Sequence, residues 1–569
     1  MRYRHLARQW VATFLVGGLA LAGSSRVFGQ APTSPQENAA VTQPAETFSQ
    51  APSGGTERAW SGPPSTEGPK TFWETVPHIT PYPRTGNFYV MPSGPGYYTL
   101  LDFLRGRESQ ERPHDPYLQW GQNPNPFFNV DFRYLDNPNN TETDFLDPLK
   151  RVHIGDNWLF STGGEIRNRY AWIDNANLYN KNKTQAGNDD RYDLFRARVY
   201  GDVWYLDQFR IFGEFMSNDS SAQSIPRANS GVNKADIFNL FAELKIWTID
   251  DNGVYLRGGR QELLFGSQRL ISPSDWSNTM RTFQGVRGMW HNDTIEYDAF
   301  WVQPVIVNTG KLDSVDDKQQ FFGSWLKYRI NKDQSFDFYY LNLDNNNPKV
   351  ATGQYKATGG FDVNTIGGRL VGEQDRILWD FEGAVQCGDW VNQGMFAAMS
   401  STGLGWYFKN LPATPTAWIY YDYASGDPHG NTSNLHQTFD QLFPFGHQYY
   451  DSIDLFGRQN IDDFHIDFAF FPAPWVRITG GYHYLTLDQA KDALYSTSGS
   501  VTRVDPTGKA GTDIGNAISS SIQFHLDRHQ VLNVSYAHLF SGPYIDKTAI
   551  DANAKKDVDS IWVQYILKW

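Results

Sequence analysis

The 569-residue chain holds a single cysteine, Cys387. That excludes an intramolecular disulfide framework, a CxxCH haem site and a cysteine-based zinc site, and leaves the thiol as a small packed side chain. Long apolar runs are missing beyond the first few dozen residues. Every later run is short and interrupted, so no segment supplies the ~20 apolar residues that a membrane-spanning helix needs. Positive charge is in deficit: 49 Lys and Arg stand against 62 Asp and Glu, a net charge of −13, which argues against nucleic acid as a partner. The sequence carries no GxSxG, no HExxH and no Walker A motif.

What is present is rings and glycine. Phe, Tyr and Trp make up 15% of the chain and Gly contributes 50 residues, while only 20% of residues are charged. This is too aromatic for a disordered chain and too rich in turn residues for a helical one, and it points to an all-β protein. Arg2, Arg4 and Arg8 followed by the apolar run Val11 to Gly23 read as a signal peptide over residues 1–29, with cleavage expected after Gly29. Residues 30–70 are Pro-, Ser- and Gly-rich, the composition of a disordered linker. Residues 71–150 are aromatic and Asn-rich without a clear period, an irregular extension in which only YYTLLDFLRG (97–106) predicts a short helix.

From residue 157 the chain alternates with period two, strand after strand. In WLFSTGGEIRNRYAW, Trp158, Phe160, Ile166, Tyr170 and Trp172 share one face, and Glu165, Arg167 and Arg169 the other. In DLFRARVYGDVWY, Phe195, Val199 and Val203 oppose Arg196, Arg198, Tyr200 and Asp202. The strands run to about 10–15 residues, longer than the five or six usual in soluble sheets and enough to cross a bilayer at a tilt. Candidate strands from 157–172 to 558–569, with the sixth placed at 281–290, are joined alternately by short turns and long loops, and Asp389–Asn392 alone breaks the rule. Short turns on one side and long loops on the other predict a transmembrane antiparallel barrel of about 18 strands over 151–569, closed so that no backbone group is left unpaired in lipid. A barrel of that size leaves an aqueous channel, so the polar face of each strand is expected to line water.

Several stretches carry a family resemblance. DPLKRVHIGDNWLFSTGGEIRNRY (147–170), LRGGRQELLFGSQRLISPSDWSNTMRTFQGVRG (256–288), NTIGGRL (364–370), WDFEGAVQCG (379–388), YDYASGDP (421–428) and TFDQLFPFGHQYYDSIDLFGRQNI (438–461) resemble the alginate-export family of outer-membrane porins. The terminal aromatic, Trp569, resembles the signal read by the barrel-assembly machinery. The resemblance covers about 147–569. It implies a barrel in the bacterial outer membrane, in contact with lipid, that passes an anionic polysaccharide or related solutes such as uronates by diffusion. Every predicted periplasmic turn is short, so none is long enough to gate the pore.

The inward face then predicts the selectivity. Glu165, Arg167, Arg169, Arg196, Arg198, Asp202, Arg210, Arg257, Arg281 and Arg287 fall on the polar faces of the first six strands, and Arg369, Asp380 and Glu382 on later ones. Rings rich in arginine select anions, although Arg–carboxylate pairs also serve simply to hold a lumen wall together. Arg260, Glu262, Arg269 and Asp275, at the end of the fifth strand and in the loop after it, are candidates for a constriction if that loop folds inward, and cap the surface if it does not. His465 and His483, with Asp463 and Asp467 near them, allow a metal or acid–base pair; solvated lumenal histidines are the ordinary alternative, so no catalytic residue, metal or cofactor is assigned. An outer-membrane enzyme acting on polysaccharide or lipid, or a secreted carbohydrate-binding β-protein, is the competing class.

Overall fold

The computed structural model describes residues 88–114, 126–175, 189–222, 231–347, 351–352, 357–429, 433–450, 452–549 and 557–569. The expected signal peptide and linker lie outside the described residues.

Long two-faced strands dominate. The barrel is built from β1 (Trp158–Asp174), β2 (Asp190–Tyr205), β3 (Phe209–Ser221), β4 (Asn233–Ile249), β5 (Asn252–Gln261) and β6 (Phe283–His291). It continues through β7 (Ile295–Ile306), β8 (Gln319–Asn331), β9 (Gln334–Asn345), β10 (Phe361–Gln374), β11 (Ile377–Trp390) and β12 (Gln393–Tyr407). It ends with β13 (Thr416–Ala424), β14 (Ile461–Ala473), β15 (Val476–Thr486), β16 (Asp513–His525), β17 (Gln530–Ser541) and β18 (Val558–Lys568). Each strand pairs antiparallel with its sequence neighbours, and β1 also pairs with β18, Ile166 opposite Leu567, which closes the 18-strand barrel. Closure matters in lipid because every ladder N–H and C=O finds a partner within the sheet.

The alternation assigns the faces. Val199 and Ile211 are exposed on the outer surface, with Arg198 and Arg210 buried beside them in sequence. Ile166, Val563 and Leu567 share the outward parity, flanked by buried neighbours, and Ile295 and Ile478 each have a buried neighbour on one side, Glu296 and Arg477. Turns on the short side are tight: Asp250 and Asp251 both take positive φ, as two-residue hairpin turns of the favoured twist require. The Val391–Asn392 turn between β11 and β12 has the same form on the side of the long loops.

One expectation needs correction. The polar-face rule fails on β6–β10, where Phe283, Phe300, Val302, Phe321, Trp325, Tyr339, Leu341 and Val363 point inward and are buried. The cause is the loop at 262–282, which folds into the barrel and packs Leu263, Phe265, Leu270 and Ile271 against that wall. The second loop, 425–460, joins it: Phe443 wedges between Phe283 and Phe321, and Ile271 bridges to Phe443. The lumen along this wall is therefore a packed apolar core, which continues to residues of later strands such as Met395, Leu539 and Val558.

The N-terminal extension closes the short-turn, periplasmic mouth. Its short helix α1 (Leu100–Arg105) is capped by Thr99, whose side chain accepts from the Asp102 N–H, and stopped by Gly106 at φ 64°. The Leu101 N–H bonds to the Leu526 carbonyl in the β16–β17 turn, and the Trp418 indole donates to the Phe88 carbonyl at 2.6 Å. Further on, Phe127 stacks on Tyr200, and Phe128 packs edge-on against Phe212 and Phe241. The periplasmic turns are short, as expected, yet the mouth is covered by a segment that precedes the barrel.

Candidate functional site

The strands β1 and β2 bring four arginines to one patch of the inner wall, and the ladder register sets them opposite one another: Arg167 faces Arg196, and Glu165 faces Arg198. Like charges directly opposed on a sheet repel. Carboxylates from three directions relieve this. Arg196 donates to Glu165 at 2.7 and 2.9 Å and to Asp275 at 2.6 Å. Arg167 donates to the Asp275 carbonyl at 2.7 Å and to its carboxylate at 3.4 Å. Arg198 donates to Glu214 at 2.5 Å and to Glu262 at 3.4 Å, and Asn239 bridges those two carboxylates at 2.8 and 2.9 Å. Lys568 lies 3.6 Å from Glu165.

Asp275 belongs to the inward loop, so the loop is pinned to the arginine wall by charge at one end. Arg269 pins its other end, donating to Asp380 at 2.7 Å and to Glu382 at 2.8 Å on β11. Arg369 on β10 donates to the other Asp380 oxygen at 2.6 Å. Lower in the barrel three local pairs line the wall: Arg210 with Asp202, Arg257 with Glu243 and Arg287 with Asp298. Arg210 also donates to the Phe128 carbonyl at 2.8 Å, tying the extension to this wall. Arg210, Arg257, Arg287 and Tyr255 border a small polar recess beneath Phe128.

Twelve of the thirteen expected pore-lining positions therefore fall on the inward face, nearly all of them in ion pairs: Glu165, Arg167, Arg169, Arg196, Arg198, Asp202, Arg210, Arg257, Arg287, Arg369, Asp380 and Glu382 are all buried. Arg281 is different. It lies before β6, in the inward loop, where its backbone N–H bonds to Pro273 and its guanidinium to the carbonyls of Ser272 and Pro444. Of the constriction candidates, Glu262, Arg269 and Asp275 are inside. Arg260 leaves the group: it stands opposite the outward Leu240 and bonds to Asp236 and to the carbonyls of Ile237 and Asp313. The reason lies beside it, where Gly259 at φ +133° presses on the β4 backbone and a Cβ would meet the Leu240 carbonyl at 2.3 Å.

Two contributors had no strand pattern to reveal them. Trp276 of the inward loop lies flat against the Arg169 guanidinium at 3.3 Å and stacks on His447 at 3.4 Å. Arg458 donates to Asp422 at 3.0 Å from the second inward loop. Among the described residues three lumenal guanidiniums have no carboxylate partner: Arg169, bonded to Gln564 and the Trp276 carbonyl; Arg477, bonded to Gln523; and Arg281.

Residues 159–559 match the alginate-export family, described as "Alginate export". The chain belongs to that family. No curated protein matches it in sequence. Among solved structures, the chain is similar to OccK8 (OprE) of Pseudomonas aeruginosa, at 10% identity and TM-score 0.47, over 72% of this chain and 98% of that one. It is similar also to OccK11 (OpdR) of the same organism, at 11% identity and TM-score 0.45, over 72% and 95%. Acinetobacter baumannii OccAB1 gives 11% identity and TM-score 0.45, over 72% and 96%. This alginate-export family member is a bacterial outer-membrane barrel of the channel class.

Proposed function

We propose that the barrel passes anionic solutes, of the carboxylate-bearing uronate or polysaccharide class, along its arginine wall. The observation that carries this reading is the set of guanidiniums without a carboxylate: Arg169, Arg281 and Arg477 bond only amide or carbonyl oxygens, so a passing carboxylate can meet them without displacing an acid of the wall. Guanidinium stays charged at every working pH and meets a carboxylate through two parallel N–H groups. A passing uronate would exchange weak contacts along such a wall, and each must stay weak for the solute to leave.

Passage requires rearrangement, since the inward loop covers the β1–β2 arginines and the extension covers the periplasmic mouth. Solute enters from one side as those segments yield, and leaves along the same wall. Assembly by the barrel machinery is expected to use the C-terminal strand, where Trp569 continues the β18 ladder by pairing with Gly164.

The test is reconstitution in a planar bilayer under a salt gradient. Wild type is expected to give a reversal potential on the anion side, and the double change Arg196→Ala, Arg198→Ala to move it toward cations by leaving Glu165 and Glu214 uncompensated. A cation-selective wild type, or a variant with an unchanged potential, overturns the reading.

A further inference from the structure

On the wall across the ladder from β13, strands β14 and β15 gather a cluster unlike the Arg–carboxylate pairs elsewhere. His465 and His483 are direct cross-strand partners, and Asp463 precedes His465 by two residues on the same inward face. All three are buried. Both imidazoles turn the same atom toward the same oxygen: Nδ1 of His465 is 3.0 Å, and Nδ1 of His483 2.8 Å, from one carboxylate oxygen of Asp463. The two rings lie 4.7 Å apart, and the ligand atoms of the three residues are all within 4.8 Å of one another.

Two independent observations call for a cation here. The second Asp463 oxygen is fully buried and has no hydrogen-bond partner. Directly opposite Asp463 in the ladder stands Asp422, whose one oxygen accepts from Arg458 while the other is buried and without a partner. Of these two buried, opposed carboxylates Arg458 bonds only Asp422, while Asp463 is met by the two imidazoles alone, an arrangement that is costly unless more positive charge is supplied.

We propose that Asp463, His465 and His483 bind a first-row divalent metal ion of the zinc and nickel class. Two imidazoles and one carboxylate are a recognised donor set for such ions, which leaves further positions open to water or solute. Ligand separations of 2.8 and 3.0 Å suit metal–ligand bonds of about 2.0–2.2 Å set at right angles, as in an octahedral shell. The outer groups are in place too. Asp467 lies 3.4 Å from Nε2 of His465, the second-shell carboxylate that orients a ligating imidazole, and Tyr420 stacks on the same ring at 5.0 Å. Gly481 keeps the space clear: a Cβ there would meet Asp467 at 2.7 Å and Nε2 of His483 at 3.3 Å. An ion in this position would neutralise the Asp422–Asp463 pair and present its open positions to the lumen.

The experiment uses the full-length barrel, stripped with EDTA and titrated with zinc chloride or nickel chloride by calorimetry, with bound metal counted by elemental analysis after desalting. Wild type is expected to retain one ion per chain, and His465→Ala with His483→Ala to lose it. Asp467→Asn should weaken binding by about 10–100-fold while keeping the stoichiometry. His153→Ala, at the periplasmic edge where His153 pairs with Asp136, should bind as wild type. Heat-modifiable gel migration verifies folding of each variant; if the double variant does not fold, His483→Asn takes its place. Failure of wild type to retain metal, or equal retention by the histidine variants, overturns the proposal and leaves the cluster as protonated histidines paired with Asp463.

Discussion

Arg167 and Arg196 face each other across the β1–β2 ladder, and a single carboxylate, Asp275 of the inward loop, bonds both. The loop is thus held down by the repulsion it relieves. Removing the Asp275 charge should release it. Breaking a buried charged network from one side costs about 3–5 kcal/mol, so Asp275→Asn is expected to lower the unfolding midpoint in urea and to raise single-channel conductance. A variant with wild-type conductance would show that the loop is held by its apolar contacts alone.

The extension offers a second test. Phe127 and Phe128 fill the space between Tyr200, Phe212 and Phe241 at the periplasmic mouth. Replacing both by Ala, or deleting residues 30–149, should increase conductance severalfold with little change in the barrel's heat-modifiable migration. Unchanged conductance would place the limiting constriction at the inward loop.

Outward parity is checked on β2. Val199 is 45% exposed on the lipid face, and an arginine at a midplane lipid-facing site costs about 2–4 kcal/mol. Val199→Arg should lose stability of that order in refolding titrations, whereas Tyr205→Arg, at the short-turn end of the same face, should lose less.

The long loops should respond to pH. Burial raises the Asp492 carboxyl to about 6, against the pull of donors from Thr438, Tyr495 and the backbone of Asp427 and Ala493, and burial likewise raises Asp440 to about 6. An acid whose pKa is higher folded than unfolded holds its proton more tightly when folded. Loop packing is therefore most favourable below about pH 4, weakens as pH climbs to about 6, and is flat above. Hydrogen exchange in 425–460 and 487–512 should be faster at pH 7.5 than at pH 4.5 after correction for intrinsic rates. Asp492→Asn should flatten much of that difference; a difference as large as in wild type would exclude Asp492 as its source.

The barrel was legible because β1 and β2 are apolar on one face only, so period two shows directly which residues point inward. The same signal fades on β8, where Phe321, Phe322 and Trp325 place rings on both faces. One face meets lipid and the other meets the inward loop, and a strand buried on both sides loses its alternation. Arg281 was read as part of a strand because the polar–apolar rhythm runs on through residue 281, whereas its backbone N–H bonds back to Pro273. Arg260 was ambiguous because Gly259 at positive φ disturbs the strand around it. Phe127, Phe128, Trp276 and Arg458 lie in irregular segments, where no period reports which way a side chain points.

Packing of two loops against β6–β10 changes what the channel can sieve. Strand number sets the circumference of a barrel, yet here part of the enclosed cross-section is occupied by the buried apolar side chains of the two loops and the wall they meet. A solute crossing this membrane would be confined to a crescent bounded by the charged strands, in contact with guanidinium and carboxylate groups along its path. Permeability in such a crescent would be graded by a solute's charge and its ability to shed water, with molecular size a secondary filter.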